Sequence, residues 1–182
     1  MIARVTKGGN ASGVLFYLVG PGKRNEHEQP RLVAASSEAR WIAEDRVLGR
    51  ADAGELGRFL DEPRKLFGTE VRVAERDEHG RVVGTRPAHV WHCSLSLPPD
   101  EAALSDERWS EITEAFMRAM GSVGEDPQRQ CRWVAVRHGE SAGGNDHAHV
   151  VVGLVAEDGS KARVHEDFDR AKRACRELEQ RF

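Results

Sequence analysis

The sequence predicts an α+β domain, one antiparallel sheet with helices packed on it, and three observations carry that prediction. Short stretches of alternating apolar residues recur along the chain. Longer stretches with helical spacing fall between them. The two main late strand patterns, Arg132 to His138 and His147 to Val155, are joined only by Gly139 to Asp146, which points to an antiparallel pair. The 182 residues suit one domain with a sizeable core better than two.

In chain order, Ile2 to Thr6 alternates as a first strand, and Lys7-Gly8-Gly9-Asn10 reads as a turn. Asn10 or Ser12 is a candidate cap for a helix running to about Val19, which Gly20-Pro21-Gly22 ends. The polar run from Lys23 to Arg31 reads as an exposed loop. Two helices are expected next: Glu38 to Leu48, with Trp41, Ile42, Val47 and Leu48 as its apolar stripe, and Asp52 to Asp61, with Leu56, Phe59 and Leu60. Pro63 is expected to stop the second. Val71 to Glu75 and Arg81 to Gly84 flank Asp77-Glu78-His79-Gly80, a hairpin signal. Val90 to Leu97 is a clearer strand, stopped by Pro98-Pro99. Leu104 to Met120 is amphipathic, with Ser105 as a candidate cap, and a last helix spans about Asp167 to Arg181 after a turn at Asp158-Gly159. That helical pattern still runs at Arg181-Phe182, as in a domain cut from a longer polypeptide.

Composition excludes several classes. A charged fraction of 31% and a hydrophobic fraction of 39% are those of an ordinary soluble protein. No apolar run approaches the roughly 20 residues of a membrane helix, and Met1 to Gly8 lacks the apolar core of a secretory signal. Cys93, Cys131 and Cys175 are odd in number with no C-x-x-C pair, which argues against a disulfide framework or a Cys-rich zinc site and for a reducing cytoplasm. A net charge of −3 counts against a surface that grips nucleic acid everywhere. DNA binding would rest on local cations, with Lys7, Lys23 and Arg24 as one candidate cluster and Arg132 and Arg137 as another.

The histidines are unevenly placed. His147-Ala148-His149 opens a strong apolar strand, and residues two apart on a strand share a face. His138 closes the preceding strand, and a hairpin symmetric about the gap between Ala142 and Gly143 sets His138 opposite His147. Three imidazoles then converge on one patch of sheet and leave coordination positions open on a metal, as catalysis requires. A one-residue slip would send His138 to the other face. His92 is the rival third ligand: it shares a face with Ser94 and Ser96, opposite Trp91, Cys93 and Leu95, and it would either ligate or orient a ligand. His27, His79, His89 and His165 lie in loops or at element ends and are expected to be solvated.

Tyr17 is the one tyrosine, near the end of the first helix. There is no H-E-x-x-H helix of a zinc protease and no G-x-S-x-G elbow of a hydrolase. An activated phenol next to a metal would attack a phosphodiester, form a phosphotyrosine and release a deoxyribose hydroxyl, a step that runs in reverse to rejoin the strand. Glu140, Asp146 and Glu26 are candidate bases or partners of the ligands. Trp41, Trp91, Trp109 and Trp133 are candidates for base stacking, though core positions are the expected fate of most.

Several stretches resemble the relaxases, or mobilisation nucleases, of plasmids and integrative conjugative elements, especially the actinobacterial branch of the tyrosine type. They are Phe16-Tyr17-Leu18-Val19-Gly20-Pro21-Gly22-Lys23-Arg24-Asn25-Glu26-His27, Val90-Trp91-His92-Cys93-Ser94-Leu95, Arg132-Trp133-Val134-Ala135-Val136-Arg137-His138 and His147-Ala148-His149-Val150, the last being the family's histidine–hydrophobic–histidine motif. The resemblance covers nearly the whole chain. It implies a central five-stranded antiparallel sheet and a Mg²⁺- or Mn²⁺-dependent nick in single-stranded DNA at an origin of transfer, with Tyr17 as nucleophile and His138, His147 and His149 as ligands. Three imidazoles would equally suit Zn²⁺, Co²⁺ or Ni²⁺. A relaxosome accessory protein and a coupling protein are candidate partners, and a monomer is the expected state. Competing readings are a rolling-circle replication initiator with the same chemistry, a DNA-binding accessory protein without catalysis, and a metal-independent phosphoesterase. The last needs two H-x-S/T motifs, and only His92-Cys93-Ser94 is present.

Overall fold

The computed structural model describes residues 1–21, 29–36, 39, 42, 46–121, 129–140 and 144–182, and of Glu140 the backbone only. The elements are β1 (Ile2–Gly8), α1 (Ala11–Val19), β2 (Arg31–Ala35), α2 (Arg50–Phe67), β3 (Arg72–Arg76), β4 (Val82–Pro87), β5 (Val90–Ser96), α3 (Asp106–Ala119), β6 (Cys131–Glu140), β7 (Asp146–Ala156) and α4 (Asp167–Arg181). Five strands form one antiparallel sheet in the order β1–β5–β7–β6–β2, and β3 with β4 forms a separate hairpin. The α+β class and the five-stranded sheet are as expected.

Strand β7 lies at the centre, and all its residues are buried. Its two faces enter different cores. Ala148, Val150, Val152 and Leu154 pack with Trp91, Cys93, Leu95, Trp133 and Ala135 beneath α3 and α4, through Trp109, Phe116, Met117, Ala174 and Leu178. On the other face, Val151 packs with Val90, Val134 and Val136 beneath α1 and α2, through Leu15, Leu18, Leu56 and Leu60. The sheet is therefore the middle of three layers. Two close approaches set the outer layer. A Cβ on Gly153 would stand 2.3 Å from the Leu60 carbonyl oxygen, and one on Gly57 would stand 2.7 Å from the Cα of Ser12. Helix α2 thus sits against β7, and α1 against α2, at distances only glycine allows.

Several boundaries differ from expectation. Lys7 and Gly8 belong to β1 rather than to a turn, and Asn10 caps α1, its side chain accepting from the Gly13 amide at 2.8 Å. Strand β2 occupies residues to which the sequence assigned no element. The helix expected over Glu38 to Leu48 falls largely outside the described residues, but its end is not helical: Val47 bridges to Arg31, and the Leu48 amide bonds the Pro30 carbonyl at 2.7 Å. Helix α2 begins at Arg50 and continues through Pro63 to Phe67. Proline removes the amide that would bond the carbonyl of Phe59. The Arg132 guanidinium replaces it, donating to that oxygen at 3.1 Å, so the helix need not stop.

Candidate metal centre

The site forms where β6, β7 and β5 meet on the α1–α2 face. Strand alternation places His147 and His149 there with Val151. The β6–β7 ladder pairs Val136 with His149 and Arg137 with Ala148, then shifts, so that Glu140 pairs with Asp146. His138 and Gly139 together therefore span the place opposite His147, as a bulge, with Gly139 in the left-handed region at φ 75°. The expected symmetric pairing holds as far as Arg137, and the bulge aims His138 at the other two rings. Ring centroids lie 4.4 Å apart for His138 and His147, 4.7 Å for His138 and His149, and 5.2 Å for His147 and His149. One nitrogen from each ring lies within 4.8 Å of the others. All three are buried, His138 completely.

Hydrogen bonds hold two of these rings, and for one of them the direction is fixed. His147 Nδ1 stands 3.1 Å from the carbonyl oxygen of Asn145. A carbonyl only accepts, so Nδ1 carries the proton and Nε2 keeps its lone pair. His149 Nδ1 stands 2.8 Å from His92 Nε2, and His92 Nδ1 stands 3.4 Å from Thr6 Oγ1. A proton donated from His149 Nδ1 to His92 leaves the lone pair of the His149 ring at Nε2, and His92 then turns its own proton towards Thr6. Burial pushes the His92 pKa down to about 4, so the ring is neutral near pH 7 and can accept that bond. His92 is therefore joined to a member of the triad and is not one of the three grouped nitrogens. Three grouped imidazole nitrogens fit a divalent metal with coordination positions to spare. Thr6 and the Asn145 carbonyl escaped sequence reasoning, because only the strand order brings Thr6 beside His92.

Other expected site residues are placed elsewhere. Tyr17 lies in the last turn of α1, 42% exposed, between the buried Leu15 and Leu18. Asp146 is on the opposite face from the triad. Its carboxylate accepts from the Trp109 indole at 2.8 Å, the Leu104 amide at 2.7 Å and Arg137 Nε at 3.1 Å, which corrects its candidacy as a base. Arg137 also binds Asp106 at 2.7 Å. Arg132 is held by Glu157 and Glu62 and lies over the Phe59 ring. Lys7 pairs with the buried Asp167 at 2.8 Å, beside the Trp91 indole that donates to the same carboxylate. These three cations hold the fold together and do not line the triad. Lys23, Arg24, Glu26, His27 and Trp41 lie outside the described residues, as does the Glu140 side chain. Trp91, Trp109 and Trp133 are core residues. His79 and His165 are exposed, whereas His89 is half-buried, 3.5 Å from Asp61.

No described helix is long and apolar enough to cross a membrane. No curated protein matches the chain. A family model does: the relaxase family, MobA/VirD2-like nuclease domain, matches residues 67–182. That segment carries His92, His138, His147 and His149 and begins after Tyr17. A triad able to hold a divalent metal, set in the segment that matches a DNA-nicking family, places the chain in the relaxase family as a MobA/VirD2-like nuclease domain.

Proposed function

We propose that this chain nicks one strand of DNA at an origin of transfer and rejoins it, with Tyr17 as nucleophile. The observation that supports this most is the triad itself: His138, His147 and His149 group their ring nitrogens, and the one bond of fixed polarity, from His147 to Asn145, leaves Nε2 able to ligate. His138, His147 and His149 would hold the ion, and His92 would orient His149. A divalent ion so held supplies charge stabilisation to the oxygens of the scissile phosphate.

The chain's own residues would do the rest. Tyr17 sits at an exposed helix end, where a strand of DNA can reach it. Its phenol oxygen would attack phosphorus, the bond from phosphorus to the 3′ oxygen would break, and the 3′ hydroxyl would leave. The 5′ phosphate would stay on Tyr17, and the reverse attack by a 3′ hydroxyl would restore the strand. The phenol proton must pass to a base, for which Glu26 and Glu140 remain the candidates. Mg²⁺ or Mn²⁺ is the expected ion, and the cytoplasm the expected place of action.

The test uses single-stranded oligonucleotides tiled across the DNA flanking the gene, with Mn²⁺, resolved on a denaturing gel. Wild type should give one protein–DNA adduct that survives denaturation, and Tyr17→Phe should give none while binding the same oligonucleotide within a few-fold. A nick made by Tyr17→Phe would sink the nucleophile assignment.

A further inference from the structure

The triad face of the sheet continues past His92 onto a strip that carries an unused cation. Val5 packs into the core beneath α3 and α4, with Ala3 and the preceding Met1 packed against it, so Ile2, Arg4 and Thr6 stand on the triad face. All three are exposed. The register sets Arg4 opposite Ser94, and Ser94 opposite His149. On either side run the rows Thr6–His92–Val151 and Ile2–Ser96–His147. Arg4 thus starts two strand spacings, about 10 Å, from His149. Among the described residues, the Arg4 guanidinium makes no ion pair or hydrogen bond, and neither do the half-buried hydroxyls of Ser94 and Ser96. Lys7, Arg132 and Arg137 are by contrast all held by carboxylates.

We propose that Arg4, Ser94 and Ser96 form a subsite for the backbone of the DNA strand flanking the phosphate at the triad, with Arg4 binding one neighbouring phosphate. The chemistry matches a phosphodiester. A guanidinium presents a planar fork to two phosphate oxygens, and hydroxyls donate to phosphate as positioning contacts. In a chain of net charge −3, polyanion binding depends on cations without an internal carboxylate, and Arg4 is one that shares the triad's face. The row through Ser94 joins it to His149 without leaving that face. The inference rests on the DNA reading above.

A fluorescein-labelled mixed-sequence single strand, titrated without divalent metal across a salt series, tests this with wild type, Arg4→Ala, Arg4→Lys and, at an exposed position of α4, Arg173→Ala. Arg4→Ala should bind about five- to tenfold more weakly at low salt. Its slope of log affinity against log salt should be shallower by about 0.7, the loss of one phosphate contact on a single strand. Arg4→Lys should keep the slope, and Arg173→Ala should match wild type. Matching thermal unfolding of wild type and Arg4→Ala excludes a folding defect, since the side chain is exposed. Wild-type affinity and slope in Arg4→Ala would overturn the subsite. An equal dependence on Arg4 for the duplex of the same sequence would overturn the single-strand occupant. The two readings fail separately: adduct formation with binding indifferent to Arg4 overturns the subsite alone, and Arg4-dependent binding with no adduct overturns transesterification alone.

Discussion

An imidazole that ligates through one nitrogen carries its proton on the other, and the carbonyl of Asn145 imposes that state on His147. For His149 the corresponding partner is a second histidine, with Thr6 behind it. This separates the roles of His92 and His138 experimentally. His138→Ala, His147→Ala and His149→Ala should each abolish measurable binding of Mn²⁺ by calorimetry. His92→Ala should keep one site and weaken it by about 10- to 100-fold, the usual cost of losing a group that orients a ligand. A His92→Ala protein with no metal site at all would make His92 a ligand. The H-x-H pair and the upstream His could be read from the sequence, because strand period and a short loop are local facts. The bond from His92 to His149 could not, because it requires β5 to lie beside β7, and nothing in either strand's own pattern fixes that order.

At the scale of elements, a bulge sets where His138 points, and a guest arginine lets α2 run past its proline. Gly139 takes a positive φ at the shift that directs His138 into the triad. Gly139→Ala should destabilise the protein by about 1–2 kcal/mol in urea unfolding, and weaken metal binding with it. Gly139→Asn should do less of both, since asparagine tolerates that conformation better. In α2, Arg132 bonds the carbonyl that Pro63 leaves without a helical partner. Arg132→Ala should cost about 1–2 kcal/mol in the wild type, and less in a Pro63→Ala background, where residue 63 supplies its own amide. Equal costs in the two backgrounds would mean that the carbonyl bond carries none of the effect. Sequence reasoning stopped α2 at the proline because the compensating group lies on β6, far along the chain. It missed β2 for a related reason: five residues with an irregular ladder are too few to show a period, and β2 becomes a strand by pairing with β6. Asn10 and Ser105 were legible as caps because each bonds an amide three residues on.

At the scale of the whole molecule, the sheet divides the two halves of the proposed site by their distance along the chain. Strands β6 and β7 are sequence neighbours, and between them carry His138, His147 and His149. The strand just before Tyr17 pairs Ile2 with Ser96, and the strand after it pairs Arg31 with Arg137. Helix α1 itself rests on Val134, Val136 and Val151. Of the cations named from sequence, Lys7, Arg132 and Arg137 each pair with a carboxylate across the fold, a partner that no local pattern discloses.

That arrangement has a consequence in time. Closing a long loop costs more entropy than closing a hairpin, so local pairs tend to form ahead of distant ones. The histidine hairpin can therefore nucleate from its own short connection, whereas the tyrosine helix has no floor to rest on until β6 and β7 exist. During synthesis Tyr17 leaves the ribosome first, and it should be fixed in place last. Pulse-labelled hydrogen exchange during refolding should show amides of β6 and β7 protected before those of β1 and α1. Simultaneous protection would mean that the sheet assembles in one step. In the expected order, a chain still folding can own its finished histidine cluster before its tyrosine is in place.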